Sequence, residues 1–255
     1  MRFYPQAVFL LLFESLTDSL PHGRTRPVTK GDGVVNSLII IACALSLFSA
    51  VDEPREDNSS LSTMTLPADN ASTASIGHPY TGKLRDGVRL PPSGPYHVAQ
   101  RSTHYRNWLF GTGYLVRGIM LAAKSVAEVA PAGEPLVVGN LSRKSGGNIK
   151  LSVSHNSGRD VDFAFYTADL SGRSVPSEYH HFGNDGLSLD APSKYKLDIP
   201  RNWQLIKSFI YSSEVEVQWI IVSPGIEKLL LQHAAKQGES KELIARAERM
   251  IMLPD

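Results

Sequence analysis

The stretch Ser154-His155-Asn156-Ser157-Gly158-Arg159-Asp160-Val161-Asp162-Phe163-Ala164-Phe165-Tyr166 sets a polar, glycine-containing turn directly before an apolar segment. The alternation after the turn predicts a strand over 161–166, since Val161, Phe163 and Phe165 share one face by the two-residue period. Asp162 then points to the opposite face, away from its apolar neighbours. The segment therefore predicts a core strand that carries a carboxylate on its other side.

The turn places a histidine and a carboxylate where they can face one point. His155 and Asp162 are seven positions apart, and Gly158 between them permits backbone angles that other residues avoid. A neutral imidazole nitrogen and an ionised carboxylate oxygen both suit Zn²⁺ and reach it at about 2 Å. We expect the two side chains to approach within about 4 Å around one ion. Spacing alone equally fits a surface turn with a hydrogen-bonded Asp.

The remaining elements indicate an α+β fold. Apolar periodicity and Pro131 predict a helix over 112–130, and the face of that helix is typical of a buried core. The strand predicted over 215–222 has Val215, Val217, Trp219 and Ile221 on one face. Further elements are predicted at 136–141 (strand), 198–209, 224–235 and 239–249 (helices). This order predicts a small, mostly antiparallel sheet with flanking helices.

Composition excludes several classes of partner. The chain has 255 residues, 42% of them hydrophobic and 20% charged, which is ordinary for a globular protein. A net charge of +1 and the lack of a basic stripe indicate no binding of nucleic acid or anionic lipid. The lone Cys43 excludes an internal disulfide, and nothing in the sequence indicates an oligomeric state.

The first 75 residues are predicted to lie outside the folded core. Residues 1–50 are assigned to export, with Ser37–Ala50 as a signal-peptide core and a true start downstream of Met1 left open. That run is too short for a stable membrane span in the mature form. Two alternatives to ordinary export stay open: a lipoprotein modified at Cys43, and a retained membrane anchor. Residues 51–75 are predicted as a disordered, acidic, Ser/Thr-rich linker, and residues 76–255 as the folded domain.

The turn and strand 154–162 resemble the first zinc motif of the penicillin-insensitive murein endopeptidases, relatives of lysostaphin, D-alanyl-D-alanine carboxypeptidase and hedgehog. Segments on either side extend the likeness from about Ser75 onward: 136–142 with Gly146-Gly147, Arg201-Asn202-Trp203, and 217–223. The resemblance implies a hedgehog/D-Ala-D-Ala-peptidase-like fold with His155 and Asp162 as zinc ligands. It also implies a periplasmic hydrolase of D-alanyl–diaminopimelyl cross-links in peptidoglycan.

Two departures from that family bear on activity. Its members complete the zinc site with a His-x-His element near the C-terminus, and this sequence has none. Many members also have a histidine where this chain has Ser152. With two of three ligands, we expect a domain truncated at its C-terminus, weak zinc binding and little hydrolysis. No catalytic residue is assigned. The alternatives are a catalytically silent or truncated peptidoglycan-binding relative and a zinc D-alanyl carboxypeptidase.

Other polar residues are secondary candidates. Asp160 or Arg143 is a candidate to support the metal ligands from behind. Since the murein stem peptide is anionic, an arginine can also bind a substrate carboxylate; the candidates are Arg101, Arg106 and Arg143. His181 lies in a glycine-rich loop and is an alternative ligand, although solvated loop residues are more common. No spaced partner accompanies the remaining candidates, His78, His97, His104 and His233.

Overall fold

The computed structural model describes residues 9–13, 64–67, 72–150, 152 and 154–252. Its helices are α1 (Arg101–Arg106), α2 (Gly113–Val129), α3 (Ile199–Ile210), α4 (Pro224–Lys236) and α5 (Lys241–Met250). Its strands are β1 (Phe9–Phe13), β2 (Ala74–Ile76), β3 (Lys83–Arg85), β4 (Val88–Arg89), β5 (His97–Ala99), β6 (Phe110–Gly111), β7 (Leu136–Val138), β8 (Asp160–Phe163), β9 (Thr167–Asp169), β10 (Ser174–Val175), β11 (Tyr195–Leu197), β12 (Val217–Ile221) and β13 (Ile251–Met252). No helix in these ranges is long and apolar enough to cross a membrane.

The main sheet has six strands in the order β13-β12-β1-β8-β7-β5. Its three inner pairings are antiparallel, and the two outer pairings, β12 with β13 and β5 with β7, are parallel. This confirms the α+β class and the mostly antiparallel sheet; the likeness to hedgehog stays a prediction. Strand β8, which carries the candidate carboxylates, lies inside the sheet.

The sequence patterns account for the helices that pack on this sheet. Helix α2 begins where Thr112 Oγ1 accepts a hydrogen bond from Leu115 N at 3.3 Å, and it ends just before Pro131. Helix α3 begins where Asp198 Oδ1 accepts from Arg201 N at 3.2 Å. The apolar faces of both helices join one hydrophobic core with β7, β8 and β12, as the periodicity predicts.

Part of the first 75 residues belongs to the fold, so the prediction that this region adds nothing to the core is wrong. Strand β1 pairs antiparallel with both β8 and β12 and closes the gap between them. A short apolar run fits a strand inside a sheet as well as an export segment, which explains the error. Cys43 and the Ser37–Ala50 run lie outside the described residues.

The domain also begins earlier than residue 76. Met64 and Leu66 pack, partly buried, against the hydrophobic core. The carbonyl of Pro67 accepts a hydrogen bond from Arg117 Nη1 at 3.3 Å, and Ala74–Ile76 pairs with β3. The predicted linker therefore ends in residues that contact the domain.

Strand β12 shows why the predicted face was wrong beyond Val217. Its register with β1 passes from Leu12–Trp219 to Phe13–Val217, so Gln218 is the extra residue of a β-bulge. Up to Val217 the odd-numbered residues are buried. After the bulge the even-numbered Ile220 and Val222 are buried, while Trp219 and Ile221 are half-buried. One inserted residue reverses the two-residue alternation.

Strand β8 also ends earlier than predicted, at Phe163. Both backbone polar groups of Tyr166 are bound by the buried side chain of Asn202: Tyr166 N donates to Oδ1 at 3.1 Å, and Nδ2 donates to Tyr166 O at 2.8 Å. A side chain thus replaces the neighbouring strand at this position and fixes the start of α3 against the end of the motif strand.

Candidate metal centre

The turn before β8 is built from two residues in the left-handed region. His155 has φ +68° and Gly158 has φ +69°. For glycine this conformation costs little, but for histidine it is a strained one. Asp160 stabilises it, because its Oδ2 accepts a hydrogen bond from His155 N at 2.7 Å. The predicted role of Gly158 in reversing the chain is confirmed.

His155 lies between two carboxylates. Asp160 Oδ2 is 2.8 Å from His155 Nδ1, and Asp162 Oδ2 is 3.1 Å from His155 Nε2. The side chains of His155 and Asp160 are 2% and 0% exposed, whereas that of Asp162 retains 12%. The predicted approach of His155 to Asp162 within about 4 Å is confirmed. The surface-turn alternative is wrong, because the group is buried and opens to solvent only at Asp162.

Asn140 binds Asp162 and is itself bound by Thr103. Asn140 Nδ2 donates to Asp162 Oδ2 at 3.1 Å, and Asn140 Oδ1 accepts from Thr103 Oγ1 at 3.0 Å. The backbones are also joined, since Asp162 N donates to Asn140 O at 3.0 Å. Asp162 is therefore fixed in position by strand pairing and by its side-chain amide partner.

Tyr179 lies against Gly139, the residue that follows β7, and beside Asp162. Its hydroxyl is buried and has no hydrogen-bond partner among the described residues. A Cβ added at Gly139 would lie 1.8 Å from this hydroxyl oxygen and 2.9 Å from Asp162 Cβ. Only glycine therefore lets Tyr179 approach the carboxylate. Burial, with a contribution from the charge of Asp162, raises the pKa of Tyr179 well above its usual value, so the hydroxyl keeps its proton.

The charges of the group favour a proton on His155. Burial alone would lower the pKa of His155, but the charges of Asp160 and Asp162 and their hydrogen bonds outweigh burial and raise it well above its usual value. A cation at this position is thus stabilised by two buried carboxylates. A metal ion at Nε2 would replace that proton.

The structure separates the secondary candidates. Asp160 contacts His155 as proposed, whereas the side chain of Arg143 is exposed, as are those of Arg101 and Arg106. Arg106 lies over the ring of Trp108 at 4.9 Å. The exposed Arg143 is therefore not placed behind the candidate ligands, and substrate binding by these arginines stays a prediction.

None of the other histidines among the described residues forms a metal-binding group with His155. His97 is buried, and its Nε2 lies 3.0 Å from Pro91 O, as in a core histidine. His181 and His104 are exposed, and His78 stacks on Tyr80. Within the described residues, no group of three or more His, Cys, Asp or Glu is arranged to hold a metal ion. His155 and Asp162 are thus a pair of candidate ligands without a third candidate from this part of the chain.

Sequence reasoning missed Asn140 and Tyr179. Asn140 had a signal, because a polar residue follows Gly139 inside an otherwise apolar predicted strand. Tyr179 had none, since it lies in a loop whose approach to β7 depends on tertiary packing.

The sequence of the chain matches one family of known proteins. The family described as "Penicillin-insensitive murein endopeptidase" matches residues 75–244, more than half of the chain. The chain belongs to this family. The matched range contains the whole group from Thr103 through Tyr179, and its start agrees with the predicted extent of the resemblance. A comparison with curated proteins found no match. Membership in this family indicates peptidoglycan as the substrate.

Proposed function

We propose that this murein endopeptidase relative is zinc-dependent, acts in the periplasm, and hydrolyses D-alanyl–diaminopimelyl cross-links with His155 and Asp162 as two zinc ligands. The observation that carries the proposal is the 3.1 Å separation of His155 Nε2 and Asp162 Oδ2. Two ligand atoms about 2 Å from a tetrahedral zinc ion are about 3.3 Å apart.

His155 and Asp162 provide donors for two of the four positions around a tetrahedral zinc ion. Ligating histidines usually donate their second ring N–H to a carboxylate, which fixes the tautomer and the ring orientation. Asp160 Oδ2 accepts its hydrogen bond from His155 N and lies 2.8 Å from Nδ1, so a carboxylate stands beside the second ring nitrogen and leaves Nε2 for the metal. Asn140 binds the Asp162 oxygen that faces His155. These contacts support a metal site over the alternative that His155, Asp160 and Asp162 form a purely structural ion triad.

A bound zinc ion would supply Lewis-acid chemistry, activating water and polarising the scissile amide carbonyl. The residues of the chain prepare for this in three ways. Asp160 orients the imidazole, Asn140 orients the carboxylate, and Tyr179 presents a protonated hydroxyl beside Asp162. No general base is assigned.

A second function is favoured by the lack of a third ligand in the described residues. Two protein ligands hold zinc weakly, so the chain would then bind peptidoglycan without cleaving it. Weak affinity and slow hydrolysis are expected even if the main proposal holds.

Zinc titration and muropeptide chromatography test both functions. The proposal expects zinc to convert cross-linked dimers to monomers, and His155→Ala and Asp162→Ala to abolish that conversion. His104→Ala is the matched control, since His104 is exposed. Release of free D-alanine without loss of dimers would instead indicate a carboxypeptidase. Peptidoglycan binding with no zinc-dependent product would establish the silent alternative.

A further inference from the structure

We propose that an exposed basic face beside the metal centre binds the carboxylates of murein stem peptides and so positions the substrate. The basic face consists of Lys83, Arg85, Arg143 and Lys144. This inference rests on the proposed function, because it names the part of that substrate which the chain recognises.

The charge of the chain is unevenly distributed. Residues 72–159 contain 11 Lys or Arg against 3 Asp or Glu, a net charge of +8, although the whole chain has +1. All four cations of the basic face are exposed. Within the described part of the chain, none of them is in an ion pair. Their charges are therefore available to an anionic ligand.

Backbone pairing brings the four cations together. Leu84 N donates to Ser145 O at 3.1 Å, and Lys83 forms a bridge with Gly146. In β3 the middle residue, Leu84, is buried while Lys83 and Arg85 are exposed. The hairpin β2–β3 and the turn 143–146 thus present their cations from adjoining segments.

The same segments are fixed to the metal centre. Gly147 N donates to Asn156 O, and Asn156 N donates to Pro79 O, both at 2.8 Å. The Leu84 side chain lies against Gly158, since an added Cβ there would be 2.7 Å from Leu84 Cδ2. The residue after His155 is therefore hydrogen-bonded to both segments that carry the basic face.

Family membership favours a carboxylate-bearing murein peptide over a phosphate polymer as the occupant. Arginine binds carboxylates through two parallel N–H groups, as it binds phosphates, and the murein stem peptide is anionic. Nucleic acid would be held by the same charges, so it becomes an outcome of the test.

The test is co-sedimentation of the full chain with insoluble murein in the presence of a chelator, so that cleavage does not contribute. The variant is K83Q/R85Q/R143Q/K144Q. The matched control, K228Q/K236Q/K241Q/R246Q, removes the same charge from exposed positions on α4 and α5. We expect murein affinity about tenfold weaker in the first variant only, and a smaller dependence on salt. Murein with amidated carboxylates should bind the unaltered chain as weakly.

Equal affinity of the two four-site variants, or full affinity for amidated murein, would overturn the proposal. So would tighter binding to a single-stranded oligonucleotide than to murein. His155→Ala separates this inference from the proposed function, because it should keep murein affinity while losing zinc-dependent cleavage. If the unaltered chain binds murein but does not cleave it in the presence of zinc, the proposed zinc peptidase is refuted while the proposed role of the basic face is not.

Discussion

Replacing Asp160 by Asn tests whether the buried carboxylate beside His155 orients this proposed metal ligand. The substitution keeps the size of the side chain but removes its charge at a position that is 0% exposed. Asp160 Oδ2 accepts His155 N–H at 2.7 Å and lies 2.8 Å from Nδ1. The first contact is a hydrogen bond to a charged acceptor and supports a histidine in a strained conformation, and the second places the charge of the carboxylate beside the imidazole.

The magnitude follows from these contacts. A hydrogen bond to a charged group contributes about 1.5–3 kcal/mol, and an amide oxygen at residue 160 can keep part of the bond to His155 N–H. We therefore expect the metal-free protein to lose about 2 kcal/mol of unfolding free energy. Without a carboxylate on Nδ1, zinc affinity should fall about 10- to 100-fold.

Urea unfolding and zinc titration against a competing chelator measure the two effects. Asp169→Asn is the control, since Asp169 lies in the separate sheet formed by β9, β10 and β11 and binds Ser171 and Arg173. A zinc affinity of Asp160→Asn within about twofold of the unaltered chain, with an unchanged urea midpoint, would refute the orienting role.

Three further outcomes are expected. The pKa of His155 is raised in the folded protein, so its protonation should stabilise the metal-free fold fully at pH values below about 6.5, the pKa in the unfolded chain. This stabilisation should be lost as the pH rises through the pKa in the folded state, and urea midpoints measured across that pH range will show the loss. Deleting residues 1–16 removes β1 from between two strands and should lower unfolding free energy by several kcal/mol; an unchanged thermal midpoint would contradict the β1 pairing. Gly139→Ala should weaken zinc binding, because the new methyl group collides with the hydroxyl of Tyr179. The double variant with Tyr179→Phe lacks that hydroxyl and should regain affinity, and an affinity that stays low in the double variant would exclude the collision as the cause.

The sequence predicted what local patterns encode. Helix α2 was correctly placed because its apolar face and Pro131 agree on its extent. The approach of His155 to Asp162 was predicted because a glycine turn and a short strand determine it almost entirely. Residues close in sequence, with one flexible glycine between them, leave few other geometries.

The errors arise where distant segments decide. Gln218 looks like any outward residue of a strand until pairing with β1 makes it a bulge. Phe9–Phe13 has the composition of both an export segment and a buried strand, and only the gap between β8 and β12 distinguishes them. Net charge is a further average of this kind, since a sum of +1 conceals a segment with a net charge of +8. Averages along the chain do not report which charges share a surface.

The group around His155 can stabilise either a proton or a metal ion, and this ambiguity is itself testable. A proton and a metal ion compete for Nε2, so zinc affinity should rise over the same pH range in which metal-free stability falls. A purely structural ion triad would show only the fall in stability. If both trends appear together, and Asp162→Asn removes both, the pair of carboxylates serves one site in two states. The proton on Nε2 would then stand in for the metal ion until the metal binds.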